Sequence, residues 1–88
     1  MKKIKPAPLA REGDHYLISC PGYWGKAATI EQAQRNLPYG LDDDSWILYS
    51  VHPETVIDGD GYFRHPKDHR AVEIAACAAL RERRTKRK

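Results

Sequence analysis

The stretch Ser45-Trp46-Ile47-Leu48-Tyr49-Ser50-Val51 decides the fold, because it is the clearest β-strand pattern among the 88 residues. Apolar side chains fall on both of its faces, which is typical of a central strand covered on both sides. His52-Pro53 ends the strand, since proline has no N–H to donate to a sheet. We therefore expect residues 45–51 to lie at the centre of a sheet.

Upstream of this strand, the sequence predicts a first strand over residues 15–20. Tyr16, Ile18 and Cys20 alternate with the other residues and fall on one face. Pro21-Gly22 favours a turn after the strand, and we expect residues 23–26 to form a loop.

A short helix is predicted between the two strands. Thr29 and Gln32 fit a capping box, in which each residue's side chain bonds the backbone amide of the other. We expect the helix to run over residues 30–37, because Pro38 stops it. Residues 39–44 then form a polar loop.

Downstream, the sequence predicts a hairpin and a second helix. Residues 55–57 and 62–64 flank the turn cluster Asp58-Gly59-Asp60-Gly61. Pro66 suits the first turn of a final helix that runs into the low eighties. The order β-α-β-β(β)-α predicts an α+β fold, with a three- or four-stranded antiparallel or mixed sheet and two helices.

Charge divides the chain more sharply than its net value of +3 suggests. Residues 1–11 carry a net charge of +4, residues 12–80 carry −6 and residues 81–88 carry +5. We expect a basic N-terminal arm or edge strand over residues 1–13, one α+β domain over 14–80 and a basic C-terminal tail over 81–88. The basic ends could dock on the acidic body, within one chain or between two.

Composition restricts the functional classes. No apolar run approaches the roughly 18 residues of a membrane span, and the basic N-terminus lacks the apolar stretch of a signal peptide. Two cysteines make no disulfide scaffold. We therefore expect a cytoplasmic protein with no membrane partner and no cofactor.

Three residue patterns suggest chemistry, and we interpret each as structural. Cys20 could be the nucleophile of a small thiol enzyme, but no histidine has a diagnostic spacing to it. His65 and His69 have the i, i+4 spacing of a zinc-binding helix without its sequence context. A calcium loop counted from Asp58 would need glutamate at position 69, which is His69. We expect neither a catalytic residue nor a metal site.

Loop aromatics beside an acidic run form the candidate site for a protein partner. Exposed loop aromatics are typical anchors of interfaces, and a neighbouring acidic loop would suit a basic protein. The candidate partner-binding residues are Tyr23, Trp24, Tyr39, Asp42, Asp43 and Asp44. The alternative for Trp24 is that it closes the edge of a small core.

The basic tail suggests a second binding function. Six basic side chains in eight residues bind phosphate backbones without sequence preference. The candidate nucleic-acid-binding residues are Arg81, Arg83, Arg84, Lys86, Arg87 and Lys88.

One stretch carries a resemblance to known proteins. Residues Tyr16-Leu17-Ile18-Ser19-Cys20-Pro21-Gly22-Tyr23-Trp24-Gly25-Lys26, with Thr29 and Ala33, resemble the strand–turn–capped-helix pattern of small phage and prophage accessory proteins. The stretch is also similar to the strand–helix unit of HicB-type antitoxins. The resemblance implies a non-enzymatic protein that binds and modulates a host or phage protein, as anti-CRISPR inhibitors do. Nucleic-acid binding through the tail is the alternative, and a thiol enzyme is the third class.

Overall fold

The computed structural model describes residues 4–77. Within them, one short helix packs with a four-stranded antiparallel sheet and a separate two-stranded hairpin. The elements are β1 (His15–Cys20), β2 (Tyr23–Ala27), α1 (Ile30–Arg35), β3 (Ile47–Val51), β4 (Val56–Ile57), β5 (Phe63–Arg64) and β6 (Val72–Ala76).

The main sheet has the order β2-β1-β3-β6. Strands β1 and β3 are central, and Ile18 lies directly opposite Leu48 in their register. Both side chains are fully buried. The predicted first strand and the predicted central strand are therefore confirmed, although β3 begins at Ile47.

Helix α1 covers one face of the sheet, which we call the first face. Thr29 caps the helix by accepting a hydrogen bond from the Gln32 amide at 3.1 Å, as predicted. The Gln32 side-chain amide donates to Asn36 Oδ1 at 3.1 Å. Gly25 lets the helix approach β2 closely, because a Cβ there would lie 2.5 Å from the Ala33 carbonyl oxygen.

Residues 4–13 form no strand and run over the first face. Ile4 is buried in the core with Ile18 and Leu48. The Tyr16 hydroxyl donates to the Ala7 carbonyl at 2.6 Å, which ties this segment to β1. The N-terminal segment thus helps to close the core from residue 4 onward.

Residues 52–71 cross the opposite face of the sheet, which we call the second face. Leu17 and Val51 are fully buried there. The rings of Tyr49 and Phe63 meet edge to face, with centroids 4.8 Å apart. Phe63 belongs to the β4–β5 hairpin, which the sequence predicted around the turn at residues 58–61.

The predicted final helix is wrong over the described residues, because residues 72–76 form strand β6 beside β3. Asp68 has φ = 65°, a left-handed conformation that breaks a right-handed helix just after Pro66. The unpaired edge of β3 then offers backbone partners, and the β-branched Val72 and Ile74 suit a strand. The rest of the predicted helix lies outside the described residues.

The predicted loop over residues 23–26 is also wrong, because these residues lie in β2. Cys20 pairs with Tyr23, so β1 and β2 form a hairpin around Pro21-Gly22. Gly22 has φ = 85°, which glycine adopts readily and which allows a two-residue turn. The turn itself was predicted, and the returning strand was not.

Candidate functional site

Tyr39 is the most exposed large apolar side chain of the described residues, at 80%. Its ring meets Tyr23 edge to face, with centroids 5.2 Å apart and an interplanar angle of 89°. The Tyr23 hydroxyl donates to the Gly40 carbonyl at 2.9 Å. Two contacts therefore fasten the Tyr39 loop to β2 while one side of the Tyr39 ring faces solvent.

The Tyr23 hydroxyl keeps its proton. Burial raises the pKa of Tyr23, and the neighbouring Cys20 and the Asp42 carboxylate act in the same direction. A protonated hydroxyl remains a hydrogen-bond donor to Gly40. The electrostatic effect of Asp42 indicates that this carboxylate lies near the Tyr23 hydroxyl.

The acidic loop has a defined backbone. The Asp42 carboxylate accepts a hydrogen bond from the Asp44 amide at 2.8 Å, which forms a local turn. Asp43 and Asp44 are exposed, whereas Asp42 is half-buried. We call the surface formed by Tyr23, Tyr39, Asp42, Asp43 and Asp44 the Tyr39 surface.

Trp24 lies on the other face of the sheet from the Tyr23 ring, although both residues line one groove. Successive side chains of a strand point to opposite faces, so Trp24 lies on the second face while Tyr23 packs against the first-face core. There Trp24 lines a groove of about 490 Å³ between the sheet and the β4–β5 hairpin. We call it the aromatic groove; its walls include Ser19, Trp24, Tyr49, Ile57, Asp58 and Phe63.

A second, more open groove lies on the first face, between the N-terminal segment and α1. It has a volume of about 970 Å³. Its lining is largely apolar and includes Ile4, Pro6, Leu9, Tyr16 and Ile30.

Sequence reasoning missed a polar network around Asp14. The Asp14 side chain is only 1% exposed, and Ser50 Oγ and Arg11 Nε donate to its Oδ2 at 2.6 and 3.1 Å. His69 Nε2 lies 2.7 Å from Oδ1. Burial alone would raise the pKa of Asp14, but these three hydrogen bonds hold it below its ordinary value.

This network joins distant segments and is not arranged as a hydrolase triad. Ser50 is fully buried and donates to Asp14, whereas a nucleophilic serine must be accessible and donate to a histidine. Arg11 also donates to the Arg70 carbonyl, and His52 stacks edge to face on His69 at 4.8 Å. The Arg11-x-x-Asp14 spacing was the only sequence signal for it.

The other predicted chemical residues do not converge. Cys20 and Cys77 are buried free thiols, and Cys20 lies in the first-face core. His65 is exposed, while His69 contacts Asp14. Within residues 4–77, no group of three or more histidine, cysteine or acidic side chains is placed to hold a metal ion. The predicted nucleic-acid-binding residues 81–88 lie outside the described part of the chain.

The same described range contains no helix whose length and apolar character would let it cross a membrane. Comparison with protein-family models, with curated proteins and with solved structures finds no match to this chain.

Proposed function

We propose that this chain is a non-enzymatic binding protein that recognises a basic protein partner through the Tyr39 surface. The observation that carries the proposal is Tyr39 itself, an 80% exposed ring that is held by Tyr23 beside an acidic loop. A phage- or prophage-type accessory protein that modulates a host or phage protein, as an anti-CRISPR inhibitor does, would use such a surface.

The geometry of Tyr39 favours binding over a purely structural role. An interface side chain that is already held in place loses less conformational entropy when a partner binds. Tyrosine also offers a large apolar ring and a polar hydroxyl, and it is enriched among the residues that dominate binding energy. The contact with Tyr23 leaves most of the Tyr39 ring available.

Charge supports a basic partner. Residues 4–77 contain eleven acidic and seven basic side chains. Asp43 and Asp44 add two exposed carboxylates in the loop that follows Tyr39. Complementary charge of this kind accelerates association and disfavours acidic competitors.

A pull-down with a matched tyrosine control tests the proposal. Tyr62 is also exposed, at 72%, but it lies in the β4–β5 hairpin. Tagged native protein, Tyr39→Ala and Tyr62→Ala are incubated with nuclease-treated host lysate, and retained proteins are identified by mass spectrometry. We expect a basic protein to be retained by the native chain and by Tyr62→Ala and lost with Tyr39→Ala.

Two matched pairs of substitutions test the contribution of the acidic side chains to association with the partner. Asp43→Asn with Asp44→Asn removes two negative charges from the Tyr39 surface, and Glu54→Gln with Asp60→Asn removes two elsewhere. We expect only the first pair to slow association with the captured partner, most strongly at low salt. Equal effects of both pairs would contradict the proposal. A parallel pull-down from lysate without nuclease treatment that recovers nucleic acid but no protein would also contradict it.

The second candidate function is nucleic-acid binding by the basic tail. It rests on Arg81, Arg83, Arg84, Lys86, Arg87 and Lys88, six basic residues in the last eight. It requires the logarithm of the affinity for DNA or RNA to fall linearly with the logarithm of the salt concentration. Replacing the six residues with glutamine would then abolish binding, and unchanged binding would exclude this function.

A further inference from the structure

The aromatic groove on the second face is built around three half-buried rings. Trp24 comes from β2, Tyr49 from β3 and Phe63 from the β4–β5 hairpin. Tyr49 and Phe63 meet edge to face, whereas Trp24 makes no ring contact within residues 4–77. The groove has a volume of about 490 Å³, so it has room for an apolar group beside the indole of Trp24.

Two polar side chains of the groove lack a hydrogen-bond partner among the described residues. Ser19 and Trp24 lie directly opposite each other in the β1–β2 register, and both are half-buried. Neither the Ser19 hydroxyl nor the Trp24 indole N–H bonds another group in the described part of the chain. An indole N–H can only donate, and a hydroxyl can donate or accept. The groove therefore offers two neighbouring donors to a ligand that brings acceptors.

The carboxylate in the groove wall already has its partners. Asp58 Oδ1 accepts from the amides of Asp60 and Tyr62 at 2.9 and 3.0 Å, and its Oδ2 accepts from Arg64 Nε at 2.9 Å. No lysine, arginine or histidine is among the described residues that line the groove. A charged ligand would lose hydration here without meeting an unpaired opposite charge. The groove therefore suits an uncharged ligand.

A proline-rich segment in the polyproline II conformation has the matching chemistry. Its rings are apolar and uncharged, and grooves lined by aromatic side chains recognise such segments in several kinds of domain. The conformation has no internal hydrogen bonds, so its carbonyls are free to accept. Proline has no N–H, so binding buries no ligand donor that would need an acceptor.

The dimensions of the groove also agree with this ligand. Strands β2 and β3 lie two strand spacings apart, or about 9.6 Å. One turn of a polyproline II helix has three residues and a length of about 9.3 Å. A single turn therefore extends from β2, which carries Trp24, to β3, which carries Tyr49. Because the ligand is extended before it binds, it loses little conformational entropy.

We propose that the aromatic groove binds an uncharged, proline-rich segment of a partner protein. The Trp24 indole N–H and the Ser19 hydroxyl donate to its carbonyls, and the aromatic rings contact its prolines. This binding does not depend on the Tyr39 surface, which suits a basic partner. The two sites adjoin through Tyr23, which lines the groove and contacts Tyr39.

Nuclear magnetic resonance on the full-length, ¹⁵N-labelled protein tests the proposal. The ligand is a capped octaproline peptide, and the control ligand is a capped octapeptide of alternating glycine and serine. The chain has two tryptophans, Trp24 and Trp46, and Trp24→Phe assigns their indole N–H signals. Trp46 packs against the first-face core and serves as the internal reference.

We expect octaproline to shift the Trp24 indole signal until it saturates, because the indole N–H exchanges water for a peptide carbonyl. The backbone amide signals of Gly59 and Gly61, which also line the groove, should shift with the same dissociation constant. The Trp46 signal should stay near its native position. The glycine–serine peptide should shift none of these signals.

Three variants locate the contact, with affinities measured from the Gly59 and Gly61 amide signals. Trp24→Phe keeps a ring but removes the N–H, and Ser19→Ala removes the hydroxyl. Each should weaken octaproline binding about two- to tenfold, the contribution of one hydrogen bond. Tyr62→Ala is the matched aromatic control and should leave the affinity unchanged, because Tyr62 is exposed and does not line the groove.

The proposal is wrong if octaproline leaves the Trp24 signal of the native protein unmoved at millimolar concentration, or if the glycine–serine peptide moves it equally. It is also wrong if Trp24→Phe and Ser19→Ala bind octaproline as tightly as the native chain, or if Tyr62→Ala weakens binding as much as they do. These outcomes leave the Tyr39→Ala pull-down unaffected, so the two proposals fail separately.

Discussion

Two aspartates with lowered pKa values, Asp14 and Asp58, organise two different regions. Asp14 is buried, and its partners Ser50 and His69 lie 36 and 55 residues away in sequence. Asp58 accepts hydrogen bonds only from residues within its own hairpin, the most distant being Arg64. One carboxylate joins three parts of the chain, and the other shapes a single turn.

This difference explains why only one of the two was predictable. A turn such as residues 58–61 is encoded by adjacent aspartates and glycines, whose hydrogen bonds join residues only two to four positions apart. The Asp14 network exists only after the N-terminal segment, β3 and the loop before β6 have come together. We therefore expect the Asp14 network to contribute more to the free energy of unfolding than the turn around Asp58 does.

Removing the Asp14 carboxylate should have the largest effect. Asp14→Ala removes the acceptor that Ser50, Arg11 and His69 share. An unsatisfied buried hydroxyl such as that of Ser50 alone costs about 1 to 3 kcal/mol, and the lost contacts of the partly exposed Arg11 and His69 add to this cost. Urea unfolding of the variant and the native chain measures the loss. If Asp14→Ala lowered the free energy of unfolding no more than Asp58→Asn does, the proposed difference between the two regions would be wrong.

Two buried hydroxyls should respond in opposite directions. Ser50 and Thr55 are both fully buried, but Ser50 Oγ donates to Asp14 and accepts from the Ala10 amide, whereas Thr55 Oγ1 has no hydrogen-bond partner among the described residues. Ser50→Ala should cost about 1 to 3 kcal/mol, since Asp14 loses a donor.

Thr55→Val keeps the shape and removes an unpaired hydroxyl, so it should be neutral or stabilising by about 1 kcal/mol. The same urea titrations compare the two variants. Destabilisation by Thr55→Val as large as that by Ser50→Ala would show that hydrogen bonding at Asp14 is not what distinguishes the two sites.

At low pH, the fold should lose more stability through protonation of Asp14 than through protonation of Asp58. A lowered pKa in the folded state means that each carboxylate stabilises the fold above its ordinary pKa of 3.8, and that this contribution is lost as the pH falls through the folded value. Asp14→Asn should therefore flatten the acid-induced loss of stability. Asp58→Asn should flatten it less, because solvent screens its exposed pair with Arg64. Unfolding free energies from neutral pH to below pH 3.8 provide the measurement.

Local signals predicted several elements of the fold correctly. Alternation defined β1, the Thr29 cap placed the start of α1, and the apolar pattern of residues 45–51 identified a central strand, observed as β3. Each of these signals depends on neighbours within a few residues. The final helix was predicted wrongly for the opposite reason, since Val72–Ala76 have acceptable helix propensity but gain more by pairing with the free edge of β3.

The candidate site was predicted in part for the same reason. Tyr39 and Asp42–Asp44 share one loop, so their proximity follows from the sequence, and the fold adds Tyr23 to them. Trp24 is adjacent to Tyr23 in sequence, yet the alternation of β2 places it in the aromatic groove on the other face. Because residues 23–26 were expected to form a loop, that separation could not be foreseen.

By itself, the sequence determined the α+β class, the central strand, the turns and the division of charge between an acidic body and basic ends, because these depend on composition and on short-range periodicity. Only the tertiary structure decided which edge residues 72–76 would occupy, which face Trp24 would take and which groups would surround Asp14. Those outcomes depend on contacts between segments far apart in the chain, where an unpaired strand edge or a buried carboxylate must find a partner.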